Sequence, residues 1–335
     1  MTARRRLAAL LEVIGVCLAG PLVAALLIRI LGLQVVNPLE RFTAGITNAE
    51  LITATRQIFI LLALQYAGYF LLVIPINWWH RRRGPASYGL TKADRSWTTL
   101  LLAGLATAAL ATWPALSVNL ANATRRFGET VPWRQAFFDT SWRRWEFWLF
   151  SGVLSWAFVA FIEELFYRGY CQRRLAEDWG DGPAIIGTAC LFTFAHGQYW
   201  IPSAYNVGMV ASIGVLAIGF GVAFAWTRSL VPTVIAHAVV NLPLTPLWQG
   251  VVLTALLIGV AVVARRAVAV IKQVFSGARV ATCVTLASAG AGYAIASQRF
   301  DTPAIAVVAT LVLAVSLEAL DRRANRHTEK APPSP

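Results

Sequence analysis

Residues 206–227, NVGMVASIGVLAIGFGVAFAWT, run for more than twenty positions without one ionisable side chain. Roughly 20 such residues span the hydrocarbon core of a bilayer as a helix, and in lipid every backbone N–H and C=O must find its partner inside the segment. The stretch therefore reads as a membrane helix. Inside it, Ala217, Gly221 and Ala225 recur at four-residue spacing, a small-residue face that lets a second helix approach closely.

The pattern repeats along the chain. Apolar segments at about 7–31, 57–79, 98–121, 147–162, 183–200, 229–247, 250–264, 280–297 and 302–320 qualify or nearly do, the fourth and eighth in chain order being short. The expected fold is all-α, a polytopic bundle of about 8–10 membrane helices. Composition agrees, with 57% apolar and 13% charged residues in 335, against roughly 25% charged in a soluble domain. Arg4 to Arg6 precede an apolar run too long for a signal peptide and lacking its cleavage pattern, so the run reads as the first helix.

The formal charge of +13 would suggest nucleic acid on a soluble chain, but here the bases act first as topology signals. Arg4 to Arg6, Arg81 to Arg83, Lys92, Arg95, Arg168, Arg173, Arg174, Arg228, Arg265, Arg266, Lys272, Arg279, Arg322, Arg323, Arg326 and Lys330 fall on one side of the expected spans. Positive-inside bias then puts both termini in the cytoplasm, in a bacterial plasma membrane by expectation. The loop 122–146 dissents, with Arg125, Arg126, Arg134, Arg143 and Arg144 among Trp133, Phe137, Phe138, Trp142 and Trp145, which reads as an interfacial aromatic belt. Cys17, Cys171, Cys190 and Cys283 show no metal or disulfide spacing.

Ionisable residues inside apolar spans are costly and mark function. Apart from Glu12 and Arg29 in the first segment and Glu318 in the last, these are Glu163, Glu164 and Arg168, then His196, then His237 with the polar Asn241. Glu164 and Arg168 stand four apart, acid first, the favourable order for a helical ion pair. Glu163 points to another face without a local counter-charge. Phe192–His196 and His237–Asn241 are further pairs at one-turn spacing. A carboxylate, two imidazoles and an amide suffice to activate a water and hold the oxyanion formed on a carbonyl. Glu163, His196 and His237 could equally form a zinc set with an open position. HExxH, GxGD and GxSG signatures are absent.

Glu163-Glu164-Leu165-Phe166-Tyr167-Arg168, Phe192-Thr193-Phe194-Ala195-His196 and His237-Ala238-Val239-Val240-Asn241 resemble the EExxxR, FxxxH and HxxxN motifs of the CPBP (Abi) family. That family comprises type II CAAX prenyl endopeptidases and bacteriocin-processing and immunity proteins. The resemblance covers about residues 145–245, with Tyr167 standing where Phe is common. It implies an intramembrane endopeptidase, glutamic or metallo-type, in which Glu163 and His196 activate water, His237 and Asn241 hold the oxyanion, and Glu164, Arg168 and Phe192 support them. A metal-free site is favoured, with zinc possible at Glu163, His196 and His237. The substrate would be a membrane-associated or lipidated protein, with the bilayer as the other partner and no nucleic acid.

This reading divides the chain into N-terminal membrane helices (1–144), a CPBP-like core (145–248), C-terminal helices (249–320) and a disordered cytoplasmic tail (321–335). Two rival readings use the same residues. One is a non-proteolytic immunity or scaffold protein on this fold, and the other is a proton-coupled transporter, although no inverted repeat supports it.

Overall fold

The computed structural model describes residues 3–33, 48–80, 84–123, 158–199, 203–242 and 246–299, together with Ala319. The expected segment 302–320, the aromatic–arginine loop and the C-terminal tail lie outside them, apart from Ala319. Every regular element among the described residues is helical. Besides two short 3-10 turns, Pro85–Tyr88 and Gly197–Tyr199, these are in chain order α1 (Ala3–Ile30), α2 (Asn48–Trp79), α3 (Trp97–Ala123), the three-part rod α4 (Ala160–Glu164, Leu165–Gln172 and Arg173–Trp179), α5 (Asp181–Phe194), α6 (Ala204–Thr227), α7 (Val231–Val240), α8 (Pro246–Phe275) and α9 (Val280–Arg299). The stretches Arg4–Ile30, Ile60–Trp79, Trp97–Ala121, Ala204–Thr227 and Gly250–Phe275 are long and apolar enough to cross a membrane. The chain is thus a polytopic helical membrane protein.

Three expected boundaries are corrected. The fourth span does not end near residue 162, because the rod continues through Arg168 and Arg174 to Trp179. The charges that made it look finished are satisfied inside the bundle, as described below. The seventh is shorter than expected: Asn241 leaves helical geometry (φ −82°, ψ 0°), and Pro243 two residues later disfavours α conformation at Leu242. The eighth extends well past residue 264, since arginines at a bilayer surface need not end a helix.

Packing follows small residues. A Cβ on Gly68 of α2 would collide with the Gly20 carbonyl of α1, and one on Gly290 of α9 with the Gly187 carbonyl of α5. Both crossings therefore bring backbone onto backbone, the means by which helices gain contact when lipid is as apolar as their side chains. α3 packs against α6, α7 and α8, while α5 lies between α4, α6 and α9. Gly180, at φ +84°, makes the tight turn that folds α4 back on α5, in a left-handed conformation natural to glycine.

Arg174 shows why a basic residue can sit in this interior. It is 7% exposed and donates from Nε to Glu12 Oε2 of α1 at 2.7 Å and from Nη1 to Asp178 at 2.8 Å. Glu12 also accepts from the Tyr170 hydroxyl at 3.3 Å and lies 3.2 Å from His80 Nε2 at the end of α2. Arg168 and Arg174 are accordingly interior residues, and the orientation argument rests on the remaining bases.

Candidate active site

The middle of α4 is a π-helix, Leu165–Gln172. Such wider turns inside α-helices are rare and cluster at functional sites. Along it, Arg168 and Gln172 face the small stripe of α6. Arg168 Nη2 donates to the Ala217 carbonyl at 3.2 Å and Gln172 Nε2 to the Gly221 carbonyl at 2.9 Å. The stripe is more than a packing face, because small side chains at 217 and 221 let polar groups reach backbone oxygens through the groove.

Glu164 and Arg168 are both fully buried and joined at 3.0 Å, the i,i+4 pair that their order predicts. The same carboxylate oxygen, Oε1, lies 2.8 Å from His237 Nδ1 on α7. Since a carboxylate paired with arginine only accepts, Nδ1 carries a proton and donates it. Nothing in the spacing of Glu164 and His237, far apart in sequence, announced this contact. The guanidinium is also covered by rings, with Arg168 Cζ 4.8 Å from the Phe192 centroid and 5.3 Å from that of Phe220. Phe220 in turn lies 5.5 Å from the His237 ring. Sequence reading missed Phe220, which carries no polar atom and occupies an otherwise ordinary apolar helix.

With Nδ1 committed, the other ring nitrogen is aimed. His237 Nε2 is 3.8 Å from Glu163 Oε2, too long for a direct hydrogen bond and close enough for strong electrostatic interaction. Glu163 is half-buried, whereas Glu164 is sealed. Adjacent glutamates on one helix thus divide their work by face: one locks the interior and the other borders the space beside His237.

His196 follows the end of α5. Its Nδ1 lies 2.7 Å from the Phe192 carbonyl, and a carbonyl only accepts, so this nitrogen carries the proton and Nε2 is left as an acceptor in the neutral ring. Phe192 meets the imidazole edge-on at 4.6 Å and the His237 ring at 6.3 Å, so one phenyl ring spaces the two histidines. His196 interacts electrostatically with Glu163 and His237. The hairpin geometry makes this possible. Glu163 and His196 are nearly equidistant in sequence from Gly180, and at about 1.5 Å per residue both stand roughly 25 Å from the turn. Continuation of α4 past residue 162 resolves the mismatch in depth that shorter spans would impose.

Asn241 caps the end of α7, its backbone N–H donating to the His237 carbonyl at 3.1 Å. The structure therefore gathers Glu163, Glu164, Arg168, Phe192, His196 and His237 around one locus, with Asn241 one turn beyond His237. Among the described residues no three His, Cys, Asp or Glu side chains form a metal-holding group. The Nδ1 atoms of His196 and His237 are both engaged, which leaves Nε2 as the other nitrogen of each ring.

Residues 144–243, which hold all three motifs, match the family model for Type II CAAX prenyl endopeptidase Rce1-like. No curated protein and no solved structure matches the chain.

Proposed function

We propose that this chain, whose residues 144–243 match the model of the Rce1-like type II CAAX prenyl endopeptidases, hydrolyses a peptide bond of a membrane-associated or lipidated substrate by a glutamate-activated water. The observation that carries the reading is the chain of contacts Arg168–Glu164–His237, which fixes the imidazole with Nε2 3.8 Å from Glu163. Evolution of a mere packing contact has no need to direct a buried histidine at a second, less buried carboxylate.

In this mechanism Glu163 takes a proton from water while His196 Nε2 accepts the water's other hydrogen. The hydroxide oxygen adds to the scissile carbonyl carbon, and the carbonyl π electrons move onto its oxygen. Asn241 and His237 donate to that oxyanion. Because Nδ1 already donates to Glu164, His237 contributes from Nε2 as an imidazolium. Two carboxylates, one guanidinium and one imidazolium then sum to zero charge in a low-dielectric site, which favours the arrangement. The C–N bond breaks as the intermediate collapses, and Glu163 returns its proton to the departing amine. Water has entered as the new carboxyl oxygen and the two product hydrogens, so the step balances. Preorganised donors of this kind typically contribute about 2.7–4 kcal/mol each to the barrier.

The test compares wild type with Glu163→Gln, both in detergent and matched for helicity and melting temperature. They are offered prenylated C-terminal peptides and a library of membrane peptides, with and without chelator and added zinc. Cleavage by wild type alone, unchanged by chelator, is the expected result. Cleavage lost to chelator and restored by zinc would reject the metal-free mechanism. Retention of the cellular function by Glu163→Gln would reject proteolysis in favour of a binding role on the same fold.

A further inference from the structure

A second organised group of charges lies apart from the site, where α3 begins and α6 ends. Arg95, just before α3, donates from Nη2 to the Trp226 carbonyl at 3.2 Å and stands with Cζ 5.2 Å from the Trp226 ring centroid. Arg266, from α8, places its Cζ 6.0 Å from the centroid of the same ring. The two guanidinium carbons cannot be further apart than those two distances laid end to end. Neither arginine pairs with a carboxylate among the described residues. Neighbouring Arg228 behaves differently, since Asp181 takes both its Nη1 and Nη2 at 3.0 and 2.7 Å.

Helix lengths give the depth of this group. At about 1.5 Å per residue, Arg265 and Arg266 lie roughly 28–30 Å along α8 from Pro246, which matches the ~30 Å thickness of a bilayer's hydrocarbon core. Trp226 lies roughly 33 Å from the start of α6 by the same measure. The most apolar window of α8 has no fully buried residue among those described, and α3 packs against the helix, as suits a helix with one side toward protein and the other toward lipid. Past the arginines, Val270, Val274 and Phe275 return to pack on Ile185, Val222 and Ala225. Exposed Trp78, Trp79 and Trp97 are the kind of aromatic residues that settle at headgroup level. Two guanidinium groups on one indole, neither paired with a carboxylate among the described residues, thus stand at the surface of the hydrocarbon layer, facing lipid.

We infer that Arg95, Trp226 and Arg266 form a binding site for the phosphate of an anionic phospholipid headgroup. The chemistry is specific: guanidinium forks match phosphate oxygens two at a time. The indole face holds both cations in place by cation–π attraction, and Arg95 is further tethered to the carbonyl end of α6. Bringing two like charges to one ring is costly until an anion lies between or beside them, and a lipid phosphate at this depth supplies that anion. Ordinary topology signalling needs only positive charge on one side of the membrane and leaves the convergence on Trp226 unexplained.

The experiment uses full-length protein in mixed micelles, titrated with phosphatidylglycerol or phosphatidylcholine, with retained lipid read by native mass spectrometry. Arg95→Gln/Arg266→Gln is compared with Arg265→Gln/Lys272→Gln, which removes the same amount of charge from α8 and leaves the three residues of the site intact. The expected result is a fall of at least tenfold in phosphatidylglycerol affinity for the first variant, less than threefold for the second, and no difference with phosphatidylcholine. If the double variant unfolds, Arg266→Gln alone, on lipid-facing α8, must still lower affinity several-fold. Equal losses in the two charge-matched variants would overturn the site. Full competition by millimolar inorganic phosphate would also overturn it, by making free phosphate the ligand.

Discussion

Replacing Arg168 by Met removes one member of a pair that is wholly inside the bundle. Its guanidinium is 0% exposed, donates to Glu164 at 3.0 Å and to the Ala217 carbonyl at 3.2 Å, and lies over two phenyl rings. Deleting one partner of a buried pair strands the other's charge and costs about 3–5 kcal/mol. Glu164→Gln strands the guanidinium and should cost a similar ~3–5 kcal/mol. The double variant Glu164→Gln/Arg168→Met has no stranded charge, and the amide oxygen still accepts from His237 Nδ1. It should therefore cost only about 1–2 kcal/mol, comparable to a weakened buried hydrogen bond, instead of the sum of the singles. Reversible unfolding in mixed micelles, read by circular dichroism across a denaturing-detergent titration, measures all four proteins. Activity should separate from stability: the double variant folds but cleaves poorly, because an amide stabilises the His237 imidazolium less than a carboxylate does. Additive losses, or a loss below about 1 kcal/mol for Arg168→Met, would refute the claim that the two buried charges depend on each other.

Glu163→Gln should abolish cleavage while leaving the unfolding midpoint almost unchanged, since its contact with His237 is 3.8 Å; a marked loss of stability in the same titration would move Glu163 into the structural set. Phe220→Ala should destabilise by about 3–5 kcal/mol as a large buried ring is truncated, and residual activity per folded molecule should fall because His237 loses the ring beside it. Gly290→Val should weaken the fold by about 1–3 kcal/mol, the usual cost of overpacking, since its Cβ meets the Gly187 backbone; equal melting temperatures would show that the crossing can open without cost. Glu12→Gln should cost about 1.5–3 kcal/mol, the worth of a hydrogen bond to a charged group, with activity per folded molecule preserved; selective loss of activity would tie that cluster to the chemistry.

Most of the bundle was legible because lipid forces apolar length onto helices. The segment at 206–227 and the helix Ala204–Thr227 agree to within a turn. Boundaries failed where charge was taken as a membrane exit. Arg168 and Arg174 look like interface residues in one dimension, yet each is neutralised by carboxylates supplied four residues away or by another helix. The i,i+4 pairing of Glu164 with Arg168 could be read locally. Its bond to His237 could not, since that distance is set by how α4 and α7 cross. Glu12 carries no local signal for the same reason, its partner being Arg174 of a distant helix. Phe220 and the carbonyls of Ala217 and Gly221 were invisible because apolar rings and backbone oxygens leave no mark in a motif.

The two ionic groups of α4 explain why the matched segment is embedded in a longer chain. One face of the rod carries Glu164 and Arg168 toward α6 and α7, so the motif-bearing helices satisfy each other. Lower on the rod, Arg174 has local partners in Asp178 and Glu177, at 2.8 and 3.6 Å, but its shortest ionic contact is with Glu12 of α1 at 2.7 Å. Trp179 reinforces that junction by donating to the Arg6 carbonyl at 3.0 Å, while Arg6 stacks on its ring at 5.4 Å. A helix in lipid cannot hold such groups unpaired, so α1 is the counter-charge for the far end of the rod that carries Glu163. Its contribution is the rod's rigidity. With both ends of α4 pinned by buried ions, the gap of 3.8 Å between Glu163 and His237 is held by structure on either side of it, as a site that must position water before reacting requires.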